Sequence, residues 1–448
     1  MTYSAALLRS LLEKEFTEPL ARSFCVAFSG GVDSMALLDA LAELSRDAPK
    51  LRLRAIHVDH GLQESSANWA TKARQSALDL GVACEVERIA VDVDSGESVE
   101  AAARAARYAV FREKLRPDEI LLTAHHQDDQ LETVLLQLAR GAGVPGLAAM
   151  PANAAFGAGR HVRPLLGVTR AALLAYARAR KLEWIEDPMN ADPRFERGFL
   201  RTSVIPTLRK RWPGIAANVS RTARHMADAQ ELLDELAERD WVHARDGDRL
   251  ELASLAGLGR ARSLNLLRYW IRGAGRPLPS ADNLERLLSV MTRAPKDAVP
   301  RLRWPGADVR RYRGRLYLAE SYELPALEPR SWTWSSGALN LGAGLGSLNL
   351  VEGRGVATLA RTRLPASLDV RGEASGASLR PAAGARKRTL RNLHQEHGVV
   401  PWARPHIPLL YAGRDLVAVG DLWTDAKYQP EGDEPAVHIE WQGRPELF

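Results

Sequence analysis

Between Ser23 and Gly141, short apolar runs alternate with longer amphipathic stretches, and no other feature restricts the fold of this chain as strongly. Strand-length runs separated by helix-length ones bury both faces of a sheet when the strands run parallel and helices cover them. The strands expected are Ser23 to Phe28, Leu51 to Asp59, Cys84 to Val91 and Glu119 to His125, with helices over Val32 to Leu44, Asn68 to Leu80 and Ser98 to Arg116. The predicted class is α/β, a doubly wound parallel sheet, whose ligands sit at the carboxyl ends of the strands.

Beyond this region the pattern weakens. The stretch Gly141 to Gly159 is rich in Gly, Ala and Pro and reads as a long loop. His161 to Leu166 reads as extended, Thr169 as the cap of a helix reaching Leu182, and Trp184 to Asp187 as the start of an irregular segment. The expected domains are 1–212, the sheet; 213–325, mostly helical but including the strand-like Val309 to Leu318; and 355–440, a small α+β unit with Leu416 to Val419 as one strand. Eight of the eleven tryptophans follow residue 240, which supplies cores for that half and leaves some, such as Trp402 and Trp423, to stack on bases.

Lys+Arg 61 against Asp+Glu 55 gives +6, too little over 448 residues to identify a polyanionic partner by itself. Two cysteines, Cys25 and Cys84, exclude a disulfide framework and a cysteine-based zinc site. Arg9, Glu13, Lys14 and Glu15 interrupt the first sixteen residues, unlike a signal peptide, and no run reaches the ~18 apolar residues of a membrane span. A cytoplasmic protein with no membrane partner is expected, and a homodimer is left open.

Directly after the first expected strand stands Ser29-Gly30-Gly31-Val32-Asp33-Ser34, running into a helix with Met35, Leu37, Leu38 and Leu41 on its apolar side. Two glycines permit a sharp turn and close approach to an anion, while Ser29, Ser34 and free helix-start amides donate hydrogen bonds. Phosphate is the natural ligand. No Lys follows as in the Walker pattern, and the third glycine of a dinucleotide site is missing. The fourth strand leads into Thr123-Ala124-His125-His126-Gln127-Asp128-Asp129-Gln130-Leu131-Glu132-Thr133. Asp129 and Glu132, and Asp128 and Glu132, share a helix face on which they can clasp an ammonium; the plainer reading is first-turn complementation of the helix dipole. Glu100, Arg104 and Arg107 form one stripe, with Tyr108 and Phe111 facing elsewhere. This stripe is a surface ion-pair ladder or, facing a nucleotide, a pair of guanidiniums neutralising phosphate.

The glycine loop resembles that of the N-type ATP pyrophosphatases, or PP-loop superfamily. With His57-Val58-Asp59-His60-Gly61-Leu62, Gly141-Ala142-Gly143-Val144-Pro145-Gly146-Leu147, Arg163-Pro164-Leu165-Leu166 and Trp184-Ile185-Glu186-Asp187-Pro188-Met189-Asn190, the chain resembles the tRNA(Ile)-lysidine synthetase family within it. Arg310-Arg311-Tyr312-Arg313 and Val400-Pro401-Trp402-Ala403-Arg404 through Pro408-Leu409-Leu410-Tyr411 extend the likeness to that family's two carboxyl-terminal domains. The resemblance implies that Ser29, Gly30, Gly31, Val32, Asp33 and Ser34 hold ATP, with Asp33 on Mg2+. It implies that the wobble cytidine of a CAU-anticodon isoleucine tRNA is adenylated and then joined to the side-chain amine of L-lysine. Asp33, Arg104, Arg107, His125, Asp129 and Glu132 are then the catalytic candidates. Arg197, Arg201, Arg209, Lys210, Arg211, Arg386, Lys387, Arg388 and Arg391 are the tRNA candidates. The chain departs from the family at Gly198, where Asn is usual. A sulfur-transferring relative would need reactive cysteines, an amidotransferase a glutaminase cysteine where position 2 is Thr, and a non-catalytic tRNA-binding relative would not need the intact loop.

Overall fold

The computed structural model describes residues 2–61, 66–89, 99–187, 192–320, 323–372 and 376–445. Leu62, Pro188 to Asn190 and the junction 90–98 lie outside the described residues. The chain forms two compact units, one to Leu236 and one from Ala237.

In the first unit the elements are α1 Ala5–Glu13, β1 Ser23–Ala27, α2 Val32–Arg46, β2 Arg52–Asp59, α3 Ser66–Asp79, β3 Ala83–Arg88, α4 Val99–Lys114, β4 Glu119–Leu122 and α5 Gln127–Ala139. They are followed by α6 Val144–Leu147, β5 Asn153–Phe156, β6 Gly159–Val162, α7 Arg170–Ala179, α8 Glu196–Phe199, a π-helical turn Leu200–Val204, α9 Ile205–Arg211 and α10 Ile215–Ala244, the last of which runs on past Leu236. The sheet order is β3-β2-β1-β4-β6-β5, parallel except for the edge strand β5. Because β1 connects to β2 on one side while β4 lies on the other, the order reverses beside the end of β1, where open α/β sheets bind ligands. Phe24 and Val26 pack with Met35, Leu37, Leu38 and Leu41 of α2 and Leu8 and Leu12 of α1 in one buried cluster, while Cys25 lies in a second cluster with Ile56 and Leu121. Burial pushes the Cys25 thiol up to about 12 and Cys84 to about 11, so neither is a reactive thiolate.

The expected loop Gly141 to Gly159 is instead the turn α6 followed by a hairpin, β5 and the start of β6. Its small residues carry no periodic signal, and pairing of β6 with β4 makes the strands. The extended reading of His161 to Leu166 is shortened likewise, because the strand ends at Val162 and the chain turns. β4 ends at Leu122 rather than His125.

In the second unit, β7 Arg245–Asp246, β8 Arg249–Glu251, β9 Arg301–Trp304, β10 Ala307–Tyr312 and β11 Arg315–Ala319 form a sheet ordered β7-β8-β11-β10-β9 with three helices, α11 Leu252–Gly257, α12 Arg260–Gly273 and α13 Ala281–Arg293. The single strand read from Val309 to Leu318 is a hairpin, turned by Arg313 and Gly314, both at positive φ. The rest is strand-rich, with a five-stranded sheet containing Asp415–Val419 and a four-stranded sheet containing Ala436–Gln442. Trp270, Trp304, Trp332 and Trp441 are buried in these cores.

Candidate active site

The turn between β1 and α2 is fixed from two directions. Gly30 has φ +79°, and its carbonyl accepts the Ile185 amide at 2.9 Å; a Cβ there would lie 2.7 Å from Ile185 Cδ1. The Gly31 amide donates to Ser29 Oγ at 3.3 Å, Ser34 Oγ donates to the Gly31 carbonyl at 2.9 Å, and the two hydroxyls lie 3.1 Å apart. Gly31 caps α2 without a side chain, so the amides of Val32, Asp33 and Ser34 have no intrahelical acceptor and form the positive end of the helix dipole. This is an oxyanion cradle.

Across the switch point, His126 caps α5 in a reciprocal box with Asp129: the His126 amide donates to Asp129 Oδ2 at 2.9 Å, and the Asp129 amide donates to His126 Nδ1 at 3.4 Å. The other ring nitrogen, Nε2, lies 3.5 Å from Asp33 Oδ2, joining the two helix starts. Burial opposes a charged His126, but Asp33, Asp129 and Glu132 outweigh it and raise its pKa. Asp33 Oδ1 is buried and has no protein partner among the described residues.

Asp129 and Glu132 do share a face, and arginines from far along the chain meet it. Arg201 reaches Glu132 at 2.5 and 2.9 Å and Asp129 Oδ1 at 3.4 Å, Arg197 reaches Glu132 at 3.3 Å, and Arg209 pairs with Asp128. Glu132, 2 % exposed, is raised above the usual carboxylate range by burial, against the pull of Arg201 and Arg197. Arg201 lies in the π-helical turn, a form frequent at functional sites. A Cβ at Gly198 would lie 1.8 Å from the Asp192 carbonyl oxygen, so the departure from Asn goes with a close backbone approach in which no side chain fits.

His125 lies one residue before this cap. Thr123 Oγ1 contacts His125 Nδ1 at 2.7 Å and His161 Nε2 at 2.9 Å. Burial first, then the charges of Arg163 and Arg104, hold His125 well below its ordinary value and His161 down to about 3. Arg104 and Tyr108 do not diverge as their helical stripe suggested: the guanidinium sits 5.0 Å over the Tyr108 ring, because residues four apart on a helix are neighbours. Arg107 instead donates to His60 Nε2 at 2.9 Å through Nε, beside the end of β2.

The loop Ser29 to Ser34 thus adjoins His126, Asp129 and Glu132, with Arg197 and Arg201 on the carboxylates. Lys210 and Arg211 are exposed at the end of α9. Arg386, Lys387 and Arg391 are exposed in the second unit, and Arg388 there pairs with Glu396. The sequence reading gave no role to Ile185, Thr123, His161 or Arg163, and gave His126 no contact with Asp33. Their residue types were visible, but their partners come from other strands and helices.

Residues 5–208 match the profile of the PP-loop domain, 250–317 the TilS substrate binding domain and 368–441 the TilS substrate C-terminal domain. The chain is 39% identical over 422 residues to a tRNA(Ile)-lysidine synthase of Coxiella burnetii, covering 94% of this chain and 93% of that protein. To the tRNA(Ile)-lysidine synthase of Serratia proteamaculans it is 42% identical over 417 residues, covering 92% and 94%. A solved U34-tRNA thiolase from Methanococcus maripaludis is similar over 50% of this chain and 78% of its own, at 17% identity and a TM-score of 0.43.

Proposed function

The chain belongs to the tRNA(Ile)-lysidine synthase family, and from that premise we propose that it joins L-lysine to C2 of the wobble cytidine in CAU-anticodon isoleucine tRNA. This ATP-dependent ligation changes the codon read from AUG to AUA. The observation that carries this reading is the contact between two helix starts: the oxyanion cradle of α2 and the acidic face of α5 meet through Asp33 and His126.

Cytosine O2 is a poor leaving group, so it first attacks the α-phosphate of ATP and pyrophosphate departs. The cradle amides and the hydroxyls of Ser29 and Ser34 stabilise the departing charge. The lysine amine, with a reference pKa near ~10.4, must then lose a proton before it attacks C2 and expels AMP. Asp129 and Glu132 hold it, and the raised basicity of Glu132 suits it to take that proton. Of the two stripe arginines, Arg107, at the end of β2, is assigned to phosphate charge. The buried, unpartnered Asp33 Oδ1 fits a Mg2+ ligand. A Mg2+ there would be held by that carboxylate together with the phosphates. When bound, the ion neutralises phosphate charge.

The target base leaves its stack to enter such a site. Lys210, Arg211, Arg386, Lys387 and Arg391 supply backbone contacts, with Arg209 and Arg388 released from their carboxylates. In this reading residues 1–212 adenylate, 213–325 bind tRNA and 355–440 recognise it. No helix in the described residues is long and apolar enough to cross a membrane.

The test is pyrophosphate release from ATP, followed by labelled lysine transfer, with purified protein and transcripts carrying CAU or another anticodon. Both signals should require lysine-accepting CAU tRNA. Equal release with any tRNA, or none, contradicts the reading.

A further inference from the structure

Arg163 follows β6 and is 8% exposed. Nη1 donates to the Pro151 carbonyl at 2.8 Å, and Tyr108 supplies a further polar contact, yet Nε is buried without a partner. Among the described residues no carboxylate acts on this guanidinium; the nearby charge is that of another arginine, Arg104. Burying an unpaired cation is costly, and buried charges are as a rule paired, so a guanidinium without a carboxylate is a place for an anion to bind.

The surroundings fit an arriving anion. Arg104 is exposed above Tyr108, and His125 is held through Nδ1 by Thr123, with no partner of Nε2 among the described residues. Tyr108 and Phe156 pack against His161 with centroids 5.7 Å away. The charges of Arg163, Arg104 and Arg197 all act on His125, and Arg197 in turn pairs with Glu132.

We propose that Arg163, with Arg104 and His125 at its rim, is a carboxylate subsite that receives the α-carboxylate of the amino-acid substrate while Asp129 and Glu132 take its side-chain amine. The inference rests on the lysine-ligating reading above. A tRNA phosphate carries a ribose on each side and is too bulky to reach a guanidinium only 8% exposed as readily as the carboxylate of a free amino acid. Its α-carboxylate matches the basic residues and its side-chain ammonium the acidic ones.

The experiment compares lysine with 1,5-diaminopentane, which is lysine without its carboxylate, as nucleophiles in ligation to CAU tRNA. The unaltered protein should prefer lysine in kcat/KM by about 10- to 100-fold, the worth of a charged hydrogen bond. In Arg163→Gln the lysine value should fall to near the diamine value, with the diamine value and the ATP and tRNA KM unchanged. Arg104→Gln, on the exposed rim, should lose part of the preference and serves if Arg163→Gln fails to fold. Preserved preference in the folded variants, or a loss confined to the ATP or tRNA KM, overturns the subsite. Failure of the unaltered protein to transfer lysine overturns instead the reading on which it rests.

Discussion

Alanine at Gly30 and at Gly31 adds the same methyl group one residue apart, and the two should fail for different reasons. At Gly30 the backbone is left-handed, φ +79°, and the methyl would lie 2.7 Å from Ile185 Cδ1. The conformation costs about 1–2 kcal/mol and displacing the Ile185 rotamer about 0.5–1.5 kcal/mol, so roughly 2–3 kcal/mol of stability should be lost. For a unit of this size that is a drop of about 5–10 °C in Tm. Gly31 has φ −75° and ψ 165°, open to any residue, and its added Cβ would meet Ser29 Oγ at 3.5 Å and the Ile185 carbonyl at 3.9 Å, ordinary contacts. Loss of the glycine cap and reduced unfolded-state entropy roughly offset, leaving Tm within about 4 °C. Under the proposed phosphate assignment the methyl crowds a phosphate oxygen, and losing one charged hydrogen bond should weaken ATP by about 10- to 100-fold. Melting by circular dichroism without ligand, and equilibrium titration with ATP and Mg2+, separate the two effects. Wild-type ATP affinity in folded Gly31→Ala would refute the phosphate assignment.

Asp129→Asn should raise the lysine KM by about tenfold or more while leaving ATP affinity near its original value; steady-state kinetics and ATP titration decide, and the reverse pattern removes Asp129 from the amine site. Arg54 and Glu119 form a buried pair at 2.5 and 2.7 Å on β2 and β4, away from the strand ends used by the site. Glu119→Gln should therefore cost about 3–5 kcal/mol of stability in urea titration with the substrate KM values of the folded protein unchanged. His161, held down to about 3 by burial and nearby arginines, binds its proton more weakly folded than unfolded. Its contribution is present above the unfolded value near ~6.5 and is lost as pH falls toward 3, with a slope of about 1.4 kcal/mol per unit. His126 has the opposite sign, its raised pKa giving stability that is lost as pH rises. Urea midpoints at pH 6 and 5 should fall in the unaltered protein and fall less in His161→Gln; identical slopes would exclude this role.

The sequence by itself determined the elements whose cause is local. Apolar runs against amphipathic stretches set β1 to β4 and the helices between them, and Thr169 capped its helix where expected. Gly30, Gly31 and the first turn of α5 were also legible, because tight turns and helix caps are written in neighbouring residues. The hairpin of β5 and β6 was not, since its Ala- and Gly-rich strands exist through pairing with β4.

Tertiary structure alone decided what each functional group faces. Asp33 and His126 start different helices and meet because β1 and β4 are adjacent. Ile185 closes on Gly30, and Arg197 and Arg201 reach Glu132 from 65 and 69 residues away. Arg163 is an ordinary arginine in a motif until folding buries it with no carboxylate partner among the described residues. Local dihedral preferences and hydrophobic period fix where elements begin and end, whereas charge pairing depends on strand order and packing, which no single stretch of chain contains.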